Sequence, residues 1–183
     1  AASDVYKRQS QTYSNFNDFM YNLSYWSSWS NGFNIWKSEF DKIDKNLKLN
    51  KLFPHTSLFL TQHQAKLFCI NDNLLFDVQR IPKRGGHNKF EAFTIEYPSL
   101  LDECCKKGHI STKCKKHILF GIMVQFLPSL LFNKYIIRIE TFDDTGFRNN
   151  LKKYYPSYAY WLVLISVLGV PFRLFCRKLK NKR

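Results

Sequence analysis

The chain has 183 residues, with 28 Lys and Arg against 14 Asp and Glu, a formal net charge of +14. That length holds one soluble domain of roughly 100 residues plus a membrane segment, and a slightly negative mean hydropathy excludes a chain embedded in lipid throughout. The charge calls for an anionic partner, yet no RNP-type, helix-turn-helix or finger pattern accompanies it, which argues against nucleic acid, and five unevenly spaced cysteines do not make a disulfide framework.

Residues 1–9 (AASDVYKRQ) have no initiator Met and resemble translated adapter sequence, so they are set aside as an artefactual leader. Residues 10–32 are rich in Ser, Asn and aromatics and end in an Asn31-Gly32 turn signal. They predict an extended strand or loop. Residues 33–40 begin to alternate and then lose the period. Leu47 and Leu49 against Lys48 and Asn50 predict a half-buried strand over 47–53. Pro54 stops it. Thr56 or Ser57 is expected to cap a helix over about 57–72, with Leu60, Gln64, Leu67, Phe68 and Asn71 on one face. Pro82 and Arg84-Gly85-Gly86 form the next break, read as a turn and not as a phosphate loop. Residues 89–97 (KFEAFTIEY) alternate and predict a strand ending at Pro98. The expected core of this domain is Leu60, Leu67, Phe68, Phe93 and Ile95.

Residues 99–117 are charged and carry Cys and His. The run 118–132 (ILFGIMVQFLPSLLF) is apolar, but as a helix it spans only about 22 Å and Pro128 interrupts it. A core helix, a re-entrant segment and a short span all fit. Residues 133–153 form a polar connector, with a strand expected at YIIRIETF and a turn at Asp144-Thr145-Gly146. From Tyr154 to Phe172 no side chain is charged, a length of roughly 28 Å as a helix. Four tyrosines and Trp161 crowd its first half, which suits a headgroup belt. The basic residues Arg173, Arg177, Lys178, Lys180, Lys182 and Arg183 follow and suit anionic headgroups. Cys176, between apolar run and basic tail, is a palmitoylation candidate, with a buried small thiol as the alternative.

Three segments, in order, resemble the transmembrane protein 151 family. The first is LKLNKLF followed by Ala65-Lys66-Leu67-Phe68-Cys69-Ile70-Asn71-Asp72-Asn73-Leu74. The second is Phe90-Glu91-Ala92-Phe93-Thr94-Ile95-Glu96-Tyr97-Pro98. The third runs from Tyr160-Trp161 to Gly169-Val170-Pro171-Phe172-Arg173. The chain differs from the family pattern at Asn73, at Val170 and in the long stretch 99–153 between the second and third segments. The resemblance implies a multi-pass membrane protein with further spans upstream and a domain in the aqueous phase. It implies no catalytic residues.

Chemistry beyond that is sparse. Cys105, His109, Cys114 and His117 give Cys-x3-His-x4-Cys-x2-His, with ligand types that suit tetrahedral zinc. The spacing matches no standard finger, and a basic juxtamembrane loop with ordinary thiols is the plainer reading. His55 and His63 read as polar surface. Asp143 and Asp144 are adjacent, so they cannot face each other as an acid/base pair. Asn22-Leu23-Ser24 is a glycosylation sequon with meaning only in a lumen. No hydrolase or metalloprotease motif appears, and neither an enzyme nor a cofactor is expected.

The sequence therefore predicts an α+β soluble domain over 10–117, then 118–132 as a short apolar segment, 133–153 as a connector, 154–176 as a transmembrane helix or hairpin, and 177–183 as a basic tail. The expected partner is the lipid bilayer, with anionic lipids. Lys and Arg flank the two apolar runs about equally, so positive-inside counting is close to a tie. Domain and tail are expected on one cytosolic side, either because both runs cross or because 169–171 forms a hairpin. The alternative is a peripheral module that docks a basic aromatic surface on anionic lipid.

Overall fold

The computed structural model describes residues 10–29, 34–71 and 88–181, with side chains to Cys176. The protein is mostly helical, with one two-stranded sheet among the described residues. The chain divides into two compact units, Ala1–Arg80 with Leu100–Ile118, and Ile81–Ser99 with Leu119–Arg183.

In the first unit, β1 (Ser10–Tyr13) and β2 (Phe68–Asn71) pair antiparallel, from Ser10 opposite Asn71 to Tyr13 opposite Phe68. Helix α1 (Phe16–Leu23) follows β1 at once. The Asn15 side chain accepts the Asp18 N–H at 3.1 Å and so satisfies one of the free donors of the first turn. Phe16, Phe19 and Met20 lie on one face and are buried. The rings of Phe16 and Phe19 meet Phe59 and Phe68, with Phe19 stacked on Phe68 at a centroid distance of 5.0 Å. A short helical turn, α2 (Lys37–Phe40), buries nothing.

Three sequence expectations change here, the first being that the stretch expected to be extended over 10–32 is a strand only at Ser10–Tyr13 and is helical over Phe16–Leu23 and Ser24–Ser28. The strand over 47–53 does not form, because the Asn50 side chain takes the N–H groups of Leu52 and Phe53 that a strand ladder would need. The helix expected over 57–72 is shorter and starts earlier. Helix α3 (Pro54–Leu60) opens on Pro54, whose missing N–H is harmless in the first turn. It tightens into a 3₁₀ turn (Thr61–Gln64) and gives way to β2. Thr56 and Ser57 are buried inside the helix instead of capping it; Thr56 donates to the Ser27 carbonyl at 3.2 Å and Ser57 to that of Phe53. Pairing with β1 turns Phe68 inward and leaves Leu67 66% exposed, so Leu67 leaves the expected core while Phe68 stays in it.

In the second unit the strand expected over 89–97 is helical. Helix α4 (Lys89–Glu91), capped by the Asn88 side chain, passes through a π-helical stretch (Ala92–Glu96) into α5 (Tyr97–Lys106). Phe90, Phe93, Thr94, Tyr97 and Leu101 are buried at spacings of three and four. Helical winding puts Phe90 and Phe93 on one face and leaves Glu91 in water, whereas alternation sets the two rings on opposite faces and turns a Glu inward with either. Ile95 and Leu60 are only half-buried.

The run 118–132 belongs to a continuous helix, α6 (Thr112–Ile136), of 25 residues. At 1.5 Å per residue it is roughly 37 Å long, which corrects the estimate of a segment too short to cross. Pro128 does not break it. Wide π-helical stretches, Ile122–Phe126 and Phe132–Ile136, lie on either side of Pro128 and accommodate its ring. The helix also absorbs Tyr135 and Ile136 from the strand expected at YIIRIETF; these two are exposed, and no strand forms there. Gly146, at φ 77, starts α7 (Phe147–Tyr154), which buries Phe147 and Leu151. Helix α8 (Ala159–Leu168) packs on α6 through Ala159 and Val163, and α9 (Val170–Asn181) follows a bend of 48° at Gly169.

Pro98 and Pro128 each follow a π-helical stretch and lack the N–H that the helix would aim at a carbonyl four or five residues earlier. Pro98 has no N–H for Phe93, and the Tyr155 hydroxyl donates to the Phe93 carbonyl at 2.7 Å. Pro128 has none for Val124, and the Arg173 guanidinium donates to the Val124 carbonyl and, at 3.3 Å, to that of Ser166.

Candidate membrane-facing site

Helix α8 divides its apolar surface. Ala159 and Val163 face the protein, while Trp161, Ile165 and Leu168 face outward, and across the bend Phe172 and Phe175 continue the same row. With Tyr158 the row is spaced at three and four residues over five helical turns, interrupted only by the bend. Leu168 is 81% exposed and Phe172 70%. Large apolar side chains scattered singly need no explanation, but a row of six on adjacent turns forms a patch that water disfavours.

Beside that row lies a groove of about 560 Å³. Leu131 and Ile136 of α6 form one wall, and Leu164, Val167 and Leu168 of α8 form the other. Polar groups sit at its α7 end. The Arg148 guanidinium lies 5.2 Å from the centre of the Tyr160 ring. Asp144 is ion-paired with Lys134 at 2.8 Å and accepts the Tyr135 hydroxyl. Burial alone would raise the Asp144 carboxyl, but those two partners outweigh it and hold it below the usual carboxylate range.

The four Cys and His residues singled out by spacing go separate ways. Helix α5 ends at Gly108 in the left-handed conformation, with Gly108 N–H on the Cys105 carbonyl and His109 N–H on that of Cys104. This turn lays His109 on His63, rings stacked at 3.5 Å. Ser111 then caps α6, its hydroxyl accepting the Cys114 N–H at 3.1 Å, while its own N–H reaches Asn17 at 2.7 Å. The Cys114 thiol is buried against the Asn17 carbonyl, His117 stacks on Tyr21 at 4.0 Å, and Cys105 sits beside Thr112. Among the described residues no three Cys, His, Asp or Glu side chains gather closely enough to hold a metal ion.

Burial pushes the Cys104 thiol up to about 11. His109 is held below the ordinary imidazole value by burial, then by the His63 and Lys107 charges. Asp102 is held low by hydrogen bonds from Lys115 and Lys106. His63 Nδ1 is buried without a hydrogen-bond partner among the described residues.

Of the basic residues grouped with the tail, Arg173 turns inward to serve the Val124 carbonyl. The side chains of Arg177, Lys178 and Lys180, and residues Lys182 and Arg183, lie outside the described set, as does Arg84-Gly85-Gly86. Cys176 is half-exposed at the end of the apolar row. Asn22 is exposed, with its side chain on the Asp18 carbonyl. Asp143 bonds Thr145, and Asp144 bonds Lys134, so the two acids serve different partners. Sequence reasoning missed the Arg148–Tyr160 contact and the His63–His109 stack, since neither pair is close in the chain.

No known protein family, curated protein or solved structure matches this chain. By length and composition, α6 can cross a membrane, and the bent pair α8–α9 qualifies as one broken span, for up to two crossings among the described residues.

Proposed function

We propose that this chain is a non-enzymatic integral membrane protein of the transmembrane protein 151 type, held in a bilayer through its C-terminal helices. The observation that carries the reading is the outward apolar row from Tyr158 to Phe175, which leads into a segment rich in Lys and Arg. Removing a large apolar side chain from water contributes roughly 1.5–3 kcal/mol. Six in one row therefore hold a helix pair in lipid far more firmly than in water. The basic tail adds attraction to anionic headgroups and sets the segment's end at the interface. Cys176, at that boundary, is placed for acylation. The aqueous unit and the tail lie on the cytosolic side in this reading, with anionic lipid as the partner.

One observation favours a peripheral alternative. The inner face of α8 is covered by protein, and the 48° bend suits a pair lying along the surface as well as a broken span. Carbonate extraction of membranes from cells expressing the chain separates the two. The integral reading expects the protein in the pellet, and release into the supernatant would replace it with the peripheral one. Glycosylation acceptors engineered after Lys182 and within residues 34–71 test the sidedness, and modification at one site but not the other would overturn it.

A further inference from the structure

The groove beside the apolar row differs from the row in carrying charge. Its walls, Leu131, Ile136, Leu164, Val167 and Leu168, suit hydrocarbon. Its volume of about 560 Å³ falls within the range of small-molecule sites, roughly 300–1,000 Å³. At its end the charges do not cancel. Asp144 is matched by Lys134, whereas Arg148 has no carboxylate partner among the described residues and rests only on the Tyr160 ring. The groove thus offers one uncompensated guanidinium to an occupant with an apolar body. Leu168 belongs both to the groove wall and to the outward row, and Ile136 is exposed at the groove's other side, so the groove opens onto the surface assigned to lipid.

Building on the membrane reading above, we propose that this groove binds one anionic phospholipid, an acyl chain between α6 and α8 and the phosphate at Arg148. A guanidinium recognises phosphate through paired N–H donors, which a zwitterionic headgroup satisfies less well because its own cation competes. The tyrosine beneath Arg148 fixes the guanidinium plane and limits the entropy lost on binding.

The test uses the full chain in dodecyl maltoside micelles, titrated with dioctanoyl phosphatidylglycerol and followed by native mass spectrometry. One lipid per chain is expected, saturably, with a preference of about fivefold over dioctanoyl phosphatidylcholine, the size of one partly exposed ion pair. Inorganic phosphate alone should not be retained. Arg148→Gln should abolish the headgroup preference, and Val167→Trp should fill the groove and abolish binding of both lipids. Multiple non-saturating adducts, equal for both headgroups and unchanged in Arg148→Gln, would overturn the assignment, as would phosphate binding as tightly as the lipid. Arg148 is on the surface, so its variant decides the matter even if Val167→Trp fails to fold. Flotation with phosphatidylglycerol vesicles keeps the two proposals apart. Wild-type chain that floats yet takes up no single lipid retires the groove alone, and wild-type chain that does not float retires the membrane reading.

Discussion

Helix α6 and the bent pair α8–α9 are the two most apolar parts of the chain, and they use that apolarity in opposite directions. Just over half of α6's most apolar stretch, 56%, is buried inside the protein. Ile118, Ile122 and Leu127 are fully enclosed. In the pair, Val163 and Val170 are enclosed while Trp161, Ile165, Leu168, Phe172 and Phe175 point away. Hydropathy records only that a segment avoids water. Whether protein or lipid replaces the water depends on which faces the fold has already covered, and α6 is the more protein-solvated of the two.

The largest expected effect separates the two helices directly. Leu127→Ala should destabilise the protein by about 2–5 kcal/mol through lost burial and a cavity. Leu168→Ala should change stability by no more than about 0.5 kcal/mol, since its side chain touches little protein. Denaturant titration in micelles reads both, and equal losses would erase the contrast. The complementary measurement is membrane association. Trp161→Ser, Leu168→Ser and Phe172→Ser should each weaken vesicle partition by about tenfold or more, in line with roughly 1.5–3 kcal/mol per buried side chain, while Ile122→Val should leave partition unchanged. Unaltered partition in the triple variant would show that the row does not meet lipid.

A smaller effect probes how the two helices depend on each other. Arg173→Ala strands the carbonyl that Pro128 leaves unserved at Val124, a loss of about 1–3 kcal/mol. Pro128→Ala supplies an N–H again, so in the Arg173→Ala background it should recover stability. Strictly additive losses in that double-mutant cycle would mean that the contact carries nothing.

The smallest effect lies in the first unit and depends on pH. His109 has its affinity for protons lowered in the fold, by burial and by His63. The unfolded chain therefore binds the proton more tightly, and stability falls as pH falls. The contribution is complete above about pH 6.5, the ordinary imidazole value, and is lost as pH drops through the lower folded value. His109→Gln should flatten thermal unfolding over that window. A slope unchanged by the substitution would place the titration elsewhere.

Much of this was legible in the sequence, but unevenly. The apolar runs, the aromatic-led C-terminal segment and the basic end are visible because hydropathy is a sum over neighbours. Phe68 and Phe93 were found in the core because each is a large ring in a patterned segment. Leu67 was misplaced, because a residue at the junction of a helical and an extended stretch takes its direction from whichever wins. The segment 89–97 failed for a related reason. Over so short a window its alternation hides the helical spacing of Phe90, Phe93, Thr94 and Tyr97, which shows only once Phe90 packs against Phe142 and Phe147. The Cys and His spacing was equally silent on geometry. Gly108 and Ser111 redirect the chain between Cys105 and Cys114, and spacing alone cannot show a turn's direction.

By itself the sequence determined where the chain is apolar, where it is basic and where a proline removes a backbone donor, because these are properties of single residues and short runs. Only the tertiary structure decided that β1 pairs with a strand far along the chain, that Tyr155 and Arg173 supply the missing donors, and that α6 is covered over more than half of its apolar stretch while α8 keeps a bare face through Trp161, Ile165 and Leu168. Those outcomes depend on which distant groups are brought together. A covered face has already exchanged water for protein, and an uncovered one is left to find another solvent.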